Sequence, residues 1–392
     1  MSSSLCTETQ RIGMERQSGS TEAPWYQTRV SSTLGIKYPI IQGPLGGLST
    51  QRLTASVSNC GGLGSFGAHS LSPSAIKDAI DEIRTLTTKP FAINLWVSME
   101  DEGARSSGAE AFERSLSHLA GHINSLGGAQ PIYKPYVPAS FEDQARVLLD
   151  ARVPVFSFIC GVPSKEILDE CRRQAIIAIG TATTRDEAIA LDQAGVDVIV
   201  ASGFEAGGHR GSFLLSAEES LTGTFSLSPQ VADAVSAPVV AAGGIADARG
   251  IIAAFALGAE GVQLGTAFLA SDESGASALH RNALLSGKAR RTALTRGFTG
   301  RLARGIHNQL LEDLNRPGVE ILPYPLQRAL VRNVSVLAEQ AANPELLPLW
   351  AGQSASLSQE TDAIALLQKL VSDVTGIAGP ILEWACEWED KC

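Results

Sequence analysis

Short apolar runs recur along this chain at Pro39–Ile41, Gly62–Ser65, Phe91–Leu95, Val155–Ile159, Ile176–Ile179, Val198–Ala201, Val239–Ala242 and Gly261–Leu264. Between them, apolar positions repeat every three or four residues. Runs this short suit strands buried on both faces, and the longer period suits helices that cover them. Eight such units predict a closed parallel (β/α)8 barrel, a TIM barrel of the α/β class, rather than an open sheet. Helix-start signals agree with the count. Ser49 reads as the cap of a helix ending before Gly61, Ser72-Pro73 and Ser228-Pro229 as cap-plus-first-residue pairs, and Thr184 with Glu187 as a capping box.

The spacing divides the chain. Residues 1–28 are polar with no apolar targeting core, which predicts a disordered leader. The barrel is expected over 29–275, with an excursion over its mouth at about 98–152, a segment too long for one connecting helix. Helical periodicity over Ala303–Leu314 and Leu326–Ala341, broken by Pro323, Pro325 and Pro344, predicts a helical addition at 276–356 covering the active site. Residues 357–392 are expected to return as a C-terminal helix on the barrel.

Composition narrows the function. Of 392 residues 44% are hydrophobic, ample for a core, and 31 basic against 41 acidic residues give a net charge of −10. That balance carries no basic footprint for nucleic acid. Cys6, Cys60, Cys160, Cys171, Cys386 and Cys392 lack metal-type or C-x-x-C spacing, so reduced thiols, no metal site and a cytoplasmic setting are expected. No segment approaches the length of a membrane helix.

Chemistry in this architecture lies where strands end. From Ala237 to Ala267 two glycine turns, Gly243-Gly244 and Gly265-Thr266, follow the last two strands one βα repeat apart. Glycines let main-chain N–H groups approach an anion, and the helix start that follows each turn is expected to add its positive end. The pair therefore reads as a phosphate site. Gln42–Gly47 after the first strand suits a flat ligand or an ordinary tight turn, and Asn94 suits a ring edge or a cap. Ser202–Gly211 places one imidazole, His209, among glycines at the sixth strand's exit, as a general base or an anion partner. Glu205 reads as a structural cap rather than an acid. Neither a Rossmann nor a P-loop fingerprint is present. A planar phosphate-bearing cofactor such as FMN fits the turns and the glycine-rich exits, and a sugar phosphate would satisfy the turns alone.

The strings PIIQGPLGG, KPFAINLWV, GFEAGGHRG, VVAAGGIADARG and VQLGTAFLA, in this order at strand ends, resemble the nitronate monooxygenase family, also called 2-nitropropane dioxygenases. LTRGFTGRLARGIHN, LPYPLQ and LWAGQ resemble its closing region. The resemblance implies an FMN-dependent barrel enzyme that oxidises alkyl nitronates, or nitroalkanes, with dioxygen to carbonyl compounds and nitrite. It implies that Pro44, Leu45, Gly46 and Asn94 hold the isoalloxazine, that Gly243, Gly244, Gly265 and Thr266 hold the phosphate, and that Gly208 presses on the ring. Gln42, Gly43 and Gln263 complete the cofactor-binding set, His209 is the catalytic residue, and Gln353 reaches back toward the site. Two departures stand out: Ser202 where many relatives carry Gln, and Gly180-Thr181 where some carry Lys. The expected partners are the small substrate and O2, with a homodimer open to the chain. Two other functions share these motifs: an FMN-dependent NAD(P)H oxidoreductase acting on a quinone or enoyl thioester, and a flavin-binding protein without turnover.

Overall fold

A computed structural model describes residues 24–98, 101–135 and 140–389, with side-chain surroundings assigned through 377. The eight expected strands are all present: β1 (Ile40–Gln42), β2 (Gly64–Gly67), β3 (Phe91–Trp96), β4 (Val155–Ile159), β5 (Ile177–Ala182), β6 (Val198–Ser202), β7 (Val239–Ala242) and β8 (Gly261–Leu264). Each pairs in parallel with the next from β2 through β8, and β8 pairs with β1. The last seam is closed by a parallel bridge between Ile41 and Leu63, with the Leu63 N–H on Ile40 O at 3.0 Å. The fold is a (β/α)8 barrel.

Alternation along the strands sends Ile41, Val155, Ile179, Val198, Val200 and Val240 into one interior cluster, where each buried aliphatic contributes about 1.5–3 kcal/mol. Val30 and Leu34, on a helix at Arg29–Leu34, join that cluster and close the end of the barrel opposite the mouth. This corrects the leader boundary. Residues 1–23 lie outside the described residues, but Trp25 stacks near Tyr38 and Phe255 and donates to Thr375 Oγ1 at 3.1 Å, and Thr28 caps the plug helix. Docking of this large aromatic offsets part of the entropy lost in ordering residues 24–28.

Three helix starts also differ from expectation. Thr50, not Ser49, caps the helix Gln51–Asn59, while Ser49 Oγ accepts from Leu45 N at 2.9 Å. Pro229 sits inside the helix Thr224–Ala232, which begins after Gly223 because the Glu205 carboxylate takes its first N–H. Ser72-Pro73 opens the helix Pro73–Leu86 as expected. Thr184 caps Glu187, but the Glu187 carboxylate turns to Thr183, Phe213 N and Leu214 N rather than back to Thr184.

In the excursion, helices Ala109–Ser117 and Ala120–Ser125 leave the barrel, whereas Phe141–Asp150 packs on β3 as a barrel helix, so the departure ends before 141. The two departing helices join the closing region through Arg114–Glu320 at 2.7 Å and Ser115 Oγ on Gln327 Oε1 at 3.0 Å. Together they bury a second core containing Phe298, Leu310, Leu330 and Leu349. Within that region the expected helix over Ala303–Leu314 is half wrong. Ala303–Ile306 is a strand between Thr292–Thr295 and Gly208–His209, and only Gln309–Leu314 is helical. The helix Ala363–Glu389 packs on the barrel helices Gln51–Asn59 and Ala248–Ala256.

Candidate active site

At the mouth, β7 runs into Gly243 (φ +102°) and Gly244 (φ +71°), backbone conformations that cost an L side chain roughly 1–2 kcal/mol each. A Cβ on Gly243 would also stand 2.9 Å from Gly203 O. β8 runs into Gly265 and Thr266. The turns are tied to the closing segment, since Thr266 Oγ1 accepts from Gly352 N at 2.9 Å and Ser354 Oγ donates to Gly244 O at 2.6 Å. The helix after Gly243-Gly244 does not point a free end at the turn as expected. Asp247 caps it, accepting from Arg249 N at 3.0 Å and Gly250 N at 3.4 Å, so only the main chain of the turn itself is open to an anion.

Both turns line one cavity of about 220 Å³. Gly43, Pro44, Leu45, Gly46, Asn94, Gly208, His209, Gln263 and the four turn residues all border it. Gln42 does not. It is fully buried, with Oε1 accepting from Ser65 N at 3.0 Å and Nε2 donating to Gly43 O, so it staples β1 to β2 behind the cavity. Gln353 is exposed. Its backbone N–H reaches Glu205 O, and the neighbouring Gly352 and Ser354 border the cavity in its place. Ser202 and the Gly180-Thr181 pair stand outside the lining. Gly208, at φ +77°, has nothing within 4 Å of where a Cβ would stand, so its main chain faces open space in the cavity.

His209 is held by a lid of main chain and side chain. Its strand pairs with Ala303–Ile306 in the register Ala303–His209, and Nε2 lies 2.8 Å from Thr299 Oγ1. Its ring meets Trp96 edge-on at 4.9 Å and Trp350 at 5.2 Å. Trp350 is held in turn by His280 Nε2, 2.9 Å from its carbonyl oxygen. Desolvation in the cavity wall, reinforced by the Arg328 and Arg301 cations, pushes the His209 pKa down to about 3, so the partly buried imidazole is neutral at ordinary pH. Arg301 is paired with Asp101 at 2.6 Å, but Arg328 borders the cavity, its one hydrogen bond among the described residues going to the Tyr324 hydroxyl at 3.4 Å. Among the described residues, no acidic side chain lines the cavity. The protein as a whole is acidic; its mouth favours an anion.

Sequence reasoning missed His69, Trp96, Arg328 and Trp350. His69 follows the glycine exit of β2 as His209 follows that of β6, so the same strand-end logic reaches it. Trp96 closes β3 two residues beyond Asn94. Arg328 and Trp350 come from the closing region, where no local signal says which side chains turn inward.

A closed barrel whose strand exits converge on an imidazole and two glycine turns defines an enzyme that works at the barrel mouth. The family model described as nitronate monooxygenase matches residues 27–373. A probable nitronate monooxygenase from Staphylococcus aureus (strain Newman) is 40% identical over 354 residues, covering 90% of this chain and 99% of the relative. Among solved structures, the nitroalkane oxidase from Streptomyces ansochromogenes is 35% identical with a TM-score of 0.81, covering 90% of this chain and all of its own. FabK from Thermotoga maritima is 27% identical with a TM-score of 0.70, covering 91% and 99%. The chain belongs to the nitronate monooxygenase family, an oxidoreductase family of flavin-dependent monooxygenases. Among the described residues no helix is long and apolar enough to cross a membrane, and no group of three metal-ligating side chains is assembled.

Proposed function

We propose that the protein binds FMN and oxidises alkyl nitronates with dioxygen, giving the carbonyl compound and nitrite. The observation that carries this reading is that two glycine turns and a neutral, partly buried His209 border one cavity with Arg328, with no acidic side chain lining it among the described residues. Gly243, Gly244, Gly265 and Thr266 would hold the phosphate through main-chain N–H groups. Pro44–Gly46, Asn94, Gln263 and Gly208 would hold the ring, and the open space beside Gly208 fits a flat face laid on main chain. FMN, when bound, supplies the one-electron and oxygen chemistry.

The protein's own groups then select and orient the substrate. Arg328 draws in the anion, and Trp96, Trp350 and Tyr324 exclude water around it. The Thr299 hydroxyl has one proton. Given to His209 Nε2 over the shorter 2.8 Å contact, it leaves Nδ1–H to donate to a nitronate oxygen. Given instead to Arg301 O at 3.3 Å, it leaves Nδ1 as a base for a neutral nitroalkane. A pKa near 3 makes that base weak, so the anion-steadying arrangement is the one we assign.

The test is nitrite release from propyl nitronate in air by the purified yellow protein, with NAD(P)H oxidation in the presence of a quinone or an enoyl thioester measured on the same preparation. Nitrite formation without NAD(P)H consumption is expected. The FabK likeness makes the reductase the competing outcome, and a colourless protein that takes up no FMN would end both readings.

A further inference from the structure

His69 lies at the exit of β2, against Trp96. Its ring stacks on the indole at 4.0 Å and 9°, while His209 meets the same indole edge-on. The side chain is 3% exposed, borders the cavity, and its Nδ1 is buried with no hydrogen-bond partner. Its backbone is fixed by Gln144, whose Nε2 donates to His69 O at 3.0 Å and to Leu71 O at 2.8 Å. Gly46, in the segment read as the ring cradle, must lack a Cβ for this ring to fit, because a Cβ there would stand 2.5 Å from His69 Cε1. A buried polar atom without a partner is destabilising, and folded proteins retain few of them. The ring that carries it borders the space where the ligand goes.

We propose that His69 is a second substrate-binding imidazole, whose Nδ1 makes a hydrogen bond to the oxyanion of the nitronate. The inference rests on the nitronate reading above. Its physical basis is convergence: His69 and His209 meet one indole, and Arg328 is the cation that acts most strongly on both rings. Burial and that cation hold His69 well below the usual histidine pKa, so it acts as a neutral partner and adds no titration of its own. A planar anion with two oxygens uses two separate imidazoles better than one. Binding of that anion would give the orphan Nδ1 its partner.

The experiment compares His69→Asn, His69→Phe and His69→Ala by KM and kcat for propyl nitronate, by inhibition with nitrate as an inert planar oxyanion, and by bound flavin. His69→Asn keeps a polar group near Nδ1 but loses the stack on Trp96. His69→Phe keeps the flat ring and loses the hydrogen bond, and His69→Ala loses both without adding bulk that must fit beside Gly46. Phe and Ala are expected to raise KM and the nitrate inhibition constant about tenfold or more, with flavin content unchanged, and Asn to recover most of the loss. A structural role for the ring predicts the reverse order, with Phe near wild type and Asn impaired. That order, or wild-type KM and nitrate inhibition in His69→Ala, overturns the proposal. Absence of nitrite from the wild type would instead overturn the function on which it rests.

Discussion

The desolvation of His209 makes a quantitative claim about which substrate the protein prefers. Lowering its pKa from 6.5 to about 3 makes taking up a proton less favourable by about 5 kcal/mol than for a free imidazole. A nitroalkane that needs His209 as its base bears that cost, while a preformed nitronate does not. The expected kcat/KM for propyl nitronate therefore exceeds that for neutral nitropropane by about three orders of magnitude or more at neutral pH. Nitrite release measured from pH 5.5 to 9 should show no inflection belonging to an imidazole. His209→Phe, which keeps a flat ring but no donor, should lower nitronate turnover by about 10- to 100-fold, the worth of one hydrogen bond to a charged group. Two results would refute this reasoning. One is a wild-type limb near pH 6.5 that His209→Phe abolishes. The other is nitropropane turnover comparable to that of the nitronate and lost selectively in the variant, which would make the imidazole a working base.

Other outcomes follow from the same geometry. Thr299→Val removes the partner that sets the His209 ring, and should lower kcat/KM by about 5- to 150-fold with flavin absorbance retained, as read by steady-state nitrite release. Gly244→Asp sets a carboxylate at the phosphate turn in a left-handed backbone, so the purified variant should lose its yellow colour; retention at wild-type stoichiometry would move the phosphate elsewhere. Acid should destabilise the fold early. His209 and His280 are held at about 3 and about 4, so the unfolded chain binds more protons than the folded one below pH 6.5, and stability falls as pH drops through that window. Each costs about 3 kcal/mol by pH 4, and replacing His280 by Gln should flatten the fall in Tm between pH 7 and 4.5.

Much of this protein was legible in its sequence because the relevant signals are local. All eight strands appear within two or three residues of the apolar runs, since strands buried on both faces must be short, apolar and bounded by turns. Gly243-Gly244, Gly265-Thr266, Gly208 and His209 were found because strand exits in a barrel share one end, so position along the chain gives position at the mouth. Tertiary structure decided what crosses between elements. Gln42 looks like a ligand contact until the Ser65 N–H takes its oxygen. Ala303–Ile306 has helical periodicity, yet the unpaired edge beside His209 draws it into a strand. Arg328 borders the cavity without a carboxylate partner among the described residues, whereas Arg301 is held by Asp101. A residue's own neighbours in sequence determine which element it joins; its pKa and its partners depend on packing between distant segments, and no local pattern encodes that.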